Sequence, residues 1–191
     1  MFWYTSGRLK IGLMDKTKIP TKSSAKICNR QEKGNEMTSR IDLQFVTPRI
    51  ALGSSPRTQQ DSEKLLSSGI TPVLDCRLGY KEGGNESMYE EAIHSDLDYF
   101  HNGTLDDGEA KAAQWFEKGI DYAHDVLGKT NTKLYVHCQS GVERAPSMVY
   151  AILQTFGYSS EESEMLIRKA RPYVLLGYQK DADNAIQSLE F

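Results

Sequence analysis

The chain has 191 residues, of which 39% are hydrophobic and 26% are charged, so it can bury the core of one domain and is too apolar for global disorder. The net charge of −3 at pH 7 is unevenly distributed, because residues 1–40 hold nine basic and three acidic side chains and leave the remainder acidic. An acidic body disfavours a broad nucleic-acid-binding face, and no apolar run reaches the roughly 18–20 residues of a membrane span.

Residues 1–40 are rich in Lys, Thr, Ser and Asn and have no sustained apolar period, which predicts a flexible basic tail. Their first residues lack the apolar segment of a signal peptide, and Met37 is an alternative start of the chain. The three cysteines form neither a disulfide framework nor a CxxC zinc pair. We therefore expect a protein of the reducing cytoplasm.

From residue 41 onward, segments with the pattern of strands alternate with segments with the pattern of helices. Residues 41–53 alternate between apolar and polar and contain Pro48, which indicates an edge strand or a break. The other β-rich segments predict strands at 70–77, 97–103 and 133–138. This alternation predicts an α/β fold, with a mostly parallel central sheet flanked by helices, over residues 41–191.

The helical segments combine capping residues at their ends with an apolar face. They are predicted at 54–69, 106–128, 144–157, 159–172 and 180–190, with a Gly-Gly loop and a short helix within 78–93. In the second of these, four side chains recur at steps of three and four and mark the buried face, namely Phe116, Ile120, Ala123 and Leu127. The segment 144–157 is apolar on all sides, as expected of a helix at the centre of the molecule.

Residues 137–147 read HCQSGVERAPS and connect a predicted strand to a predicted helix. In parallel α/β sheets, ligands bind beyond the carboxyl ends of strands, where loop N–H groups and a helix N-terminus bind anions. Gly141 allows the unusual backbone angles that such an anion cradle needs. The positive potential of the cradle favours the thiolate form of Cys138, and Arg144 can hold two phosphate oxygens at once. These residues suit phosphoryl transfer to sulfur.

The residues expected to surround the anion are those between the thiol and the guanidinium, namely Gln139, Ser140, Gly141, Val142 and Glu143, together with Arg144 itself. The stretch HCQSGVER resembles the H-C-x5-R signature of cysteine-dependent protein tyrosine phosphatases. The range 41–191 is similar to their compact dual-specificity branch, since PRIALGSSP resembles its opening strand and GITPVLDCR its second conserved strand. The resemblance implies a catalytic domain over 41–191, with Cys138 as the nucleophile.

The resemblance also implies a general acid on a mobile loop just ahead of the long helix. Counting back along that helix favours Asp106, while Asp107 is interpreted as a helix cap or first-turn acid and remains the alternative general acid. His137 is expected to orient the loop through hydrogen bonds, and the reaction needs no metal or organic cofactor. Arg77 and Lys81 follow a strand end near the expected site and are interpreted as solvated loop charges rather than substrate contacts.

The implied activity is hydrolysis of a phosphomonoester through a cysteinyl-phosphate intermediate. The favoured substrate is a phosphorylated protein, with phosphotyrosine, phosphoserine or phosphothreonine as the target, and the favoured state is a monomer with no nucleic-acid partner. The alternatives are a non-catalytic phosphate-binding pseudophosphatase module, or a phosphatase for a glucan, a phosphoinositide or an RNA 5′ end. Acidic residues beside the expected cradle rank the RNA substrate low.

Some residues depart from the family pattern or extend it. Ala145 stands where the family usually has Ser or Thr, whose hydroxyl assists the second step, so slow turnover of the phosphoenzyme is expected. Ser147 either substitutes in part for that hydroxyl or only belongs to the helix start. Glu143 either points to solvent or disfavours highly anionic substrates. Cys76 ends a strand and is either a redox partner of Cys138, as in some relatives, or a buried strand cysteine.

Overall fold

The central sheet of the protein has five strands within residues 39–78 and 96–189, which are the residues that the computed structural model describes. The strands are β1 (Leu43–Phe45), β2 (Ile50–Gly53), β3 (Ile70–Arg77), β4 (Asp98–Thr104) and β5 (Lys133–His137). Their order is β1-β2-β5-β3-β4. β1 is antiparallel to β2, whereas all other neighbouring strands are parallel. The predicted α/β fold with a mostly parallel sheet is confirmed.

The predicted strand over 41–53 is divided in two near Pro48. The chain bends here, and the Thr47 hydroxyl accepts hydrogen bonds from the N–H groups of Arg49 (3.3 Å) and Ile50 (3.0 Å). Proline has no N–H to donate to a strand ladder, so a break at this position follows from its chemistry.

Helices cover both faces of the sheet. The described helices are α1 (Gln59–Ser67), α2 (Ala113–Gly128), α3 (Arg144–Thr155), α4 (Ser160–Ala170) and α5 (Gln179–Ser188). α1 packs through Leu65 into a small apolar cluster that contains Ile70 and Tyr135 of the sheet. The other four helices contribute to the larger cluster, which lies on the opposite face.

Two of the helices begin with a capping box, as their sequences indicate. The side chain of Thr58 accepts from the N–H of Asp61 (3.3 Å), and the Asp61 carboxylate accepts from the N–H of Thr58 (3.0 Å). Ser159 and Glu162 make the same exchange at the start of α4, at 3.1 and 2.8 Å. Because Thr58 is the cap, α1 begins at Gln59, which is later than predicted.

The long helix also starts later than predicted, because α2 begins at Ala113 and residues 105–112 form an irregular loop. The interpretation of Asp107 as a helix cap or first-turn acid is wrong, since the N-cap of α2 is Ala112 and its first turn contains no acidic residue. Asp107 instead binds Nζ of Lys111 at 2.5 Å within the loop. The backbone N–H of Lys111 donates to Asp181 of α5 at 2.8 Å, so contacts with a distant helix replace the predicted first turns.

The main core lies between the sheet and the four helices on its larger face. The predicted buried face of α2 is confirmed, since Phe116, Ile120, Ala123 and Leu127 are all buried. α3 is buried over its first ten residues, 144–153, which confirms the prediction of a central helix. The N-terminus of α3 therefore lies inside the molecule, close to the end of β5, the middle strand of the sheet.

Several predictions fall on residues outside the described ranges. These are most of the basic tail, residues 1–38, with Met37, most of the loop and short helix within 78–93, with Lys81, and the last predicted helical residue, 190. Among the described residues, no helix has both the length and the apolar character needed to cross a membrane.

Candidate active site

Cys138 directly follows β5, at the carboxyl end of the middle strand of the sheet. The loop 139–143 leads from it into α3, whose first residue is Arg144. Cys138 is 1% exposed and Arg144 is 2% exposed. Both ends of the motif are thus removed from bulk water. Electrostatic interactions are stronger in such a buried environment than in water.

The backbone carbonyls of residues 138–143 all accept hydrogen bonds from the surrounding scaffold. The first three carbonyls, of residues 138, 139 and 140, accept from His137 Nδ1 (3.2 Å), Ser55 N (3.3 Å) and Arg171 Nη2 (3.0 Å), respectively. The next three, of residues 141, 142 and 143, accept from Arg171 Nε (3.1 Å), Leu175 N (2.9 Å) and Ser147 N (3.1 Å), respectively. In a planar trans peptide, the N–H points away from the C=O. The N–H groups of the loop therefore point to the opposite side, which is the geometry of an anion cradle.

Gly141 is required in this loop for two reasons. Its φ of +68° lies in the left-handed region, which glycine adopts without strain. A Cβ atom on Gly141 would also lie 2.5 Å from the carbonyl oxygen of Gly53 in β2. The loop can therefore pack directly against the end of β2 only because residue 141 has no Cβ atom.

Arg171 supports the cradle from behind and was not singled out by the sequence. Its fully buried guanidinium donates to the carbonyls of Ser140 and Gly141 and also to the Asp42 carboxylate at 2.9 Å. Burial alone would raise the pKa of Asp42, but hydrogen bonds from Tyr173, Gln44 and Arg171 hold it below its usual value. In the sequence, Arg171 resembles an ordinary basic residue at a helix C-terminus, so only the three-dimensional structure reveals its partners.

Arg144 is held between β4 and the 105–112 loop. Its Nη1 donates to the carbonyl of Thr104, the last residue of β4, at 3.1 Å. Its Nη2 lies 3.2 Å from Oδ2 of Asp106. The guanidinium is therefore oriented by the end of a strand, and the carboxylate lies next to the side chain expected to bind phosphate.

The structure brings Asp106 to Arg144 and joins Asp107 to Lys111 instead. Oδ1 of Asp106 also accepts a hydrogen bond from the Tyr178 hydroxyl at 3.3 Å. The hydrogen bond from Lys111 holds the pKa of Asp107 below its usual range. A general acid must reach the ester oxygen of the bound phosphate, so the position of Asp106 beside Arg144 favours it over Asp107 as the acid.

His137 is fully buried behind the cradle. Because a carbonyl can only accept, Nδ1 carries the proton that is donated to the Cys138 carbonyl. Burial lowers the pKa of His137 to about 4. At neutral pH, His137 therefore carries no charge, and it contacts the loop through the hydrogen bond to the Cys138 carbonyl.

The structure contradicts the interpretation of Arg77 as a solvated loop charge. Arg77 is 3% exposed, and its Nε and Nη2 donate to the two carboxylate oxygens of Asp75 at 2.9 and 2.7 Å. A charged pair formed within β3 therefore lies inside the molecule, where burial is tolerated because the charges are matched and hydrogen-bonded.

The family described as dual specificity phosphatase, catalytic domain, matches residues 50–180 of the chain. The chain belongs to this family. The matched range includes the complete strand–loop–helix motif, the 105–112 loop and Arg171. The resemblance to the dual-specificity branch of the cysteine-dependent protein tyrosine phosphatases is confirmed.

Individual members of this superfamily are similar to the chain. It is 26% identical over 144 residues to dual specificity protein phosphatase 19 of Mus musculus, and the alignment covers 73% of this chain and 59% of that protein. The chain therefore spans less than two thirds of that relative's length. PTPMT1, solved in complex with PI(5)P, gives a TM-score of 0.63 at 19% identity and covers 76% of this chain and 94% of its own.

A second solved structure also shares this fold. The human tyrosine phosphatase-like serine/threonine/tyrosine-interacting protein gives a TM-score of 0.61 at 18% identity, over 74% of this chain and 93% of its own. At identities this low, the two solved structures indicate a common fold only. The reaction of each protein has to be argued from its own residues.

Ala145 stands where this family usually has a Ser or Thr hydroxyl, and the polar residues near it, Ser147 and Glu143, make contacts within the protein. Ala145 is buried in the first turn of α3. The Ser147 hydroxyl donates to the Glu143 carbonyl (2.9 Å) and accepts from the N–H of Tyr178 (3.3 Å), so it is engaged at the helix start. The Glu143 carboxylate lies against Gly177 and is half-buried, so it does not extend into bulk solvent.

Cys76 lies beside Cys138 on the neighbouring strand of the phosphatase domain, since Asp75 of β3 is paired in register with His137 of β5. Both thiols are reduced, buried and part of the same apolar cluster. Burial raises the pKa of Cys76 well above its usual range. Neighbouring strands lie about 4.8 Å apart, a separation that a disulfide can bridge.

Proposed function

We propose that the chain is a cysteine-dependent phosphomonoester hydrolase that acts through a cysteinyl-phosphate intermediate. The observation that carries the proposal is the outward orientation of six successive carbonyls, 138–143, around the buried thiol of Cys138. A phosphate bound by the opposing N–H groups would meet the thiol, with Arg144 and Asp106 at the edge of the cradle. Membership in the dual-specificity phosphatase family supports the same reaction.

In the first step, the thiolate sulfur of Cys138 forms a bond to phosphorus as the bond from phosphorus to the ester oxygen breaks. Asp106 donates its proton to the departing oxygen. Arg144 and the loop N–H groups hold the non-bridging oxygens, whose charge they stabilise in the transition state.

In the second step, Asp106 is ionised and accepts a proton from water as that water attacks phosphorus. The bond between sulfur and phosphorus breaks, and the thiolate of Cys138 is regenerated. Because Ala145 supplies no hydroxyl to the departing thiolate, we expect this step to be slower than the first and to limit turnover.

We infer that the substrate is a phosphorylated protein, in which phosphotyrosine, phosphoserine or phosphothreonine is the target. Two large apolar side chains beside the site, Leu105 and Leu175, are 52% and 63% exposed. Leu105 precedes Asp106, and the N–H of Leu175 binds the carbonyl of Val142. Apolar groups at this position suit the side chains that flank a phosphorylated residue, and no observation favours the glucan, phosphoinositide, RNA or pseudophosphatase alternatives.

We further propose that residues 41–191 are the catalytic domain, that residues 1–40 are an appended tail, and that the protein acts as a cytoplasmic monomer without a cofactor or a nucleic-acid partner. The acidic balance of the domain supports the last point, because nucleic-acid-binding domains are basic.

Hydrolysis of a small aryl phosphate by the whole chain, with a chelator present, tests the proposal. We expect turnover that vanadate inhibits, because vanadate takes the place of a phosphate bound to the nucleophile. A folded chain that hydrolyses neither aryl phosphates nor phosphopeptides would contradict the proposed function.

Asp106→Asn is expected to lower kcat/KM for phenyl phosphate about 100-fold, because the phenolate then leaves without a proton in the first step. Asp107→Asn is the matched control, since it makes the same change at the neighbouring carboxylate, which is bound to Lys111. Because this ion pair is partly exposed and lies away from Arg144, its loss is expected to leave kcat/KM for phenyl phosphate within about fivefold of that of the unmodified chain. A larger loss in Asp107→Asn than in Asp106→Asn would assign the acid to Asp107.

We also propose that Cys76 protects Cys138 by forming a reversible disulfide with it. Peroxide oxidises the Cys138 thiolate to a sulfenic acid, and the Cys76 sulfur then displaces the hydroxyl group, which leaves as water. The peroxide thereby receives the two electrons that the two thiols lose. Because burial raises the pKa of Cys76, formation of the disulfide is expected to be the slower step.

Mild peroxide treatment followed by a thiol reductant tests this proposal. The unmodified chain is expected to lose activity and to recover it, whereas Cys76→Ala is expected to be inactivated irreversibly through further oxidation of Cys138. Mass spectrometry of an unreduced digest of the unmodified chain is expected to detect the peptides of Cys76 and Cys138 linked by a disulfide. Full recovery of Cys76→Ala, with no linked peptide from the unmodified chain, would rule out the pairing.

A further inference from the structure

The Tyr178 hydroxyl contacts the 105–112 loop at two points. It donates to Oδ1 of Asp106 at 3.3 Å and accepts from the backbone N–H of Gly108 at 3.3 Å. Tyr178 is 2% exposed, although it binds a loop whose Asp106 side chain is 38% exposed. A fixed, buried hydroxyl therefore holds a carboxylate that is open to solvent.

Tyr178 is itself anchored to the helix that follows the cradle. Its backbone N–H donates to the hydroxyl of Ser147 in α3 at 3.3 Å. Nζ of Lys111 lies 4.5 Å from the centroid of its ring, and the N–H of Lys111 binds Asp181 at 2.8 Å. The tyrosine thus connects the 105–112 loop to α3 and to the start of α5, and it can fix the distance between the carboxylate and the cradle.

We propose that Tyr178 is the positioning residue of the general acid, holding Oδ1 of Asp106 so that Oδ2 is the oxygen that transfers the proton. This inference rests on the proposed function, because it assigns a partner to Asp106 in that reaction. Tyr178 does not touch the reacting atoms and acts only through Asp106.

The contacts of the two carboxylate oxygens of Asp106 explain this division. Oδ1 is bound by Tyr178, whereas Oδ2 lies 3.2 Å from Nη2 of Arg144 on the cradle side. A phosphate bound by Arg144 competes for that guanidinium, so Oδ2 becomes available to the ester oxygen. The proton then moves from Oδ2 to the departing oxygen as the ester bond breaks, and its bonding electron pair stays on Oδ2.

The hydroxyl of Tyr178 stabilises the carboxylate formed in this step by donating to Oδ1. Burial, with the charges of Asp106 and Glu143, raises the pKa of Tyr178 to about 12. The hydroxyl therefore keeps its proton over the pH range in which such enzymes are assayed and remains a donor throughout the reaction.

Tyr178→Phe tests the proposal, because it removes the hydroxyl and keeps the buried ring under Lys111. For phenyl phosphate, whose leaving group needs a proton, kcat/KM, which reports the first step, is expected to fall roughly tenfold. For p-nitrophenyl phosphate, whose leaving group departs readily as an anion, kcat/KM is expected to change less than about threefold. Inhibition by inorganic phosphate is expected to be unchanged, because the cradle keeps its contacts.

Tyr158→Phe is the matched control, because Tyr158 is 39% exposed and follows the opposite end of α3 from Arg144. It is expected to leave both substrates unaffected. The decisive variant is Tyr178→Phe combined with Asp106→Asn, which is expected to be no slower than Asp106→Asn alone. Additive losses in the double variant, or equal losses for both substrates in Tyr178→Phe, would overturn the positioning role.

The outcomes separate this inference from the proposed function. If Asp106→Asn is impaired with phenyl phosphate and Tyr178→Phe is not, the function stands and the role of Tyr178 is wrong. If the chain retains its activity after replacement of Cys138, the proposed function itself is wrong.

Discussion

Cys138→Ser is expected to abolish turnover of aryl phosphates, lowering kcat by at least about 10⁴-fold. The serine hydroxyl occupies nearly the same volume, but it is a far weaker nucleophile than a thiolate at neutral pH. The thiol is 1% exposed at the end of β5, so the substitution changes the reacting atom and leaves the surrounding cradle in place.

The control for Cys138→Ser is binding of inorganic phosphate, measured by calorimetry on the same protein preparation. Binding is expected to be retained, because the loop N–H groups and Arg144 are unchanged. Retained binding with no turnover assigns the loss to chemistry rather than to folding. Turnover within tenfold of the unmodified chain would show that another residue is the nucleophile.

Arg144→Lys is expected to lower kcat/KM by about 10³-fold, because a lysine ammonium cannot reproduce the planar, two-point contact with phosphate oxygens. The guanidinium is 2% exposed and is also held by the Thr104 carbonyl at 3.1 Å. A lysine would lose that orientation as well as one of the two phosphate contacts. Affinity for inorganic phosphate is expected to fall together with kcat/KM.

Arg168→Lys provides the matched control for Arg144→Lys. Arg168 lies on α4, where its Nε pairs with Glu164 at 2.6 Å, and its side chain is 42% exposed. Such an exposed pair contributes little, so activity and stability are expected to stay close to those of the unmodified chain. An equal loss in both variants would show that the effect of Arg144→Lys is not specific to the cradle.

The parts of the fold that local patterns determine could be predicted from the sequence. β3 has the predicted bounds, 70–77, because a short apolar run between turn signals determines a buried strand. The helix that begins at Arg144 could be predicted as central because its sequence is apolar on every side. The cradle could be predicted as well, because Cys138, Gly141 and Arg144 lie close together in the chain, between a strand pattern and a helix pattern.

Two features that the sequence did not reveal, the late start of the long helix and the role of Arg171, involve contacts between residues far apart in the chain. The segment before Ala113 has a helix-forming composition, but Lys111 binds Asp181, which is 70 residues away, and the helix starts later. Arg171 resembles a basic residue at a helix end, yet it is buried through Asp42, 129 residues earlier. Local propensity contains no information on such partners, because they meet only after the sheet and helices have packed.

Tyr178 illustrates the same limit at the site itself. Its hydroxyl binds Asp106, 72 residues earlier, so nothing near Tyr178 in the sequence indicates that it contacts the 105–112 loop. The two neighbouring aspartates could not be separated by spacing alone. They differ in the structure because Lys111 binds one and Arg144 contacts the other.

The most direct test of the central claim is to trap the phosphoenzyme. The chain is mixed with an aryl phosphate that carries radioactive phosphorus, and the reaction is quenched within milliseconds to seconds. The protein is then digested to locate the labelled peptide. We expect one equivalent of label on the peptide that contains Cys138, formed in a burst and lost more slowly than it forms, because Ala145 offers no hydroxyl to the departing thiolate. Steady turnover without label at Cys138, or label on a different residue, would contradict the proposed mechanism.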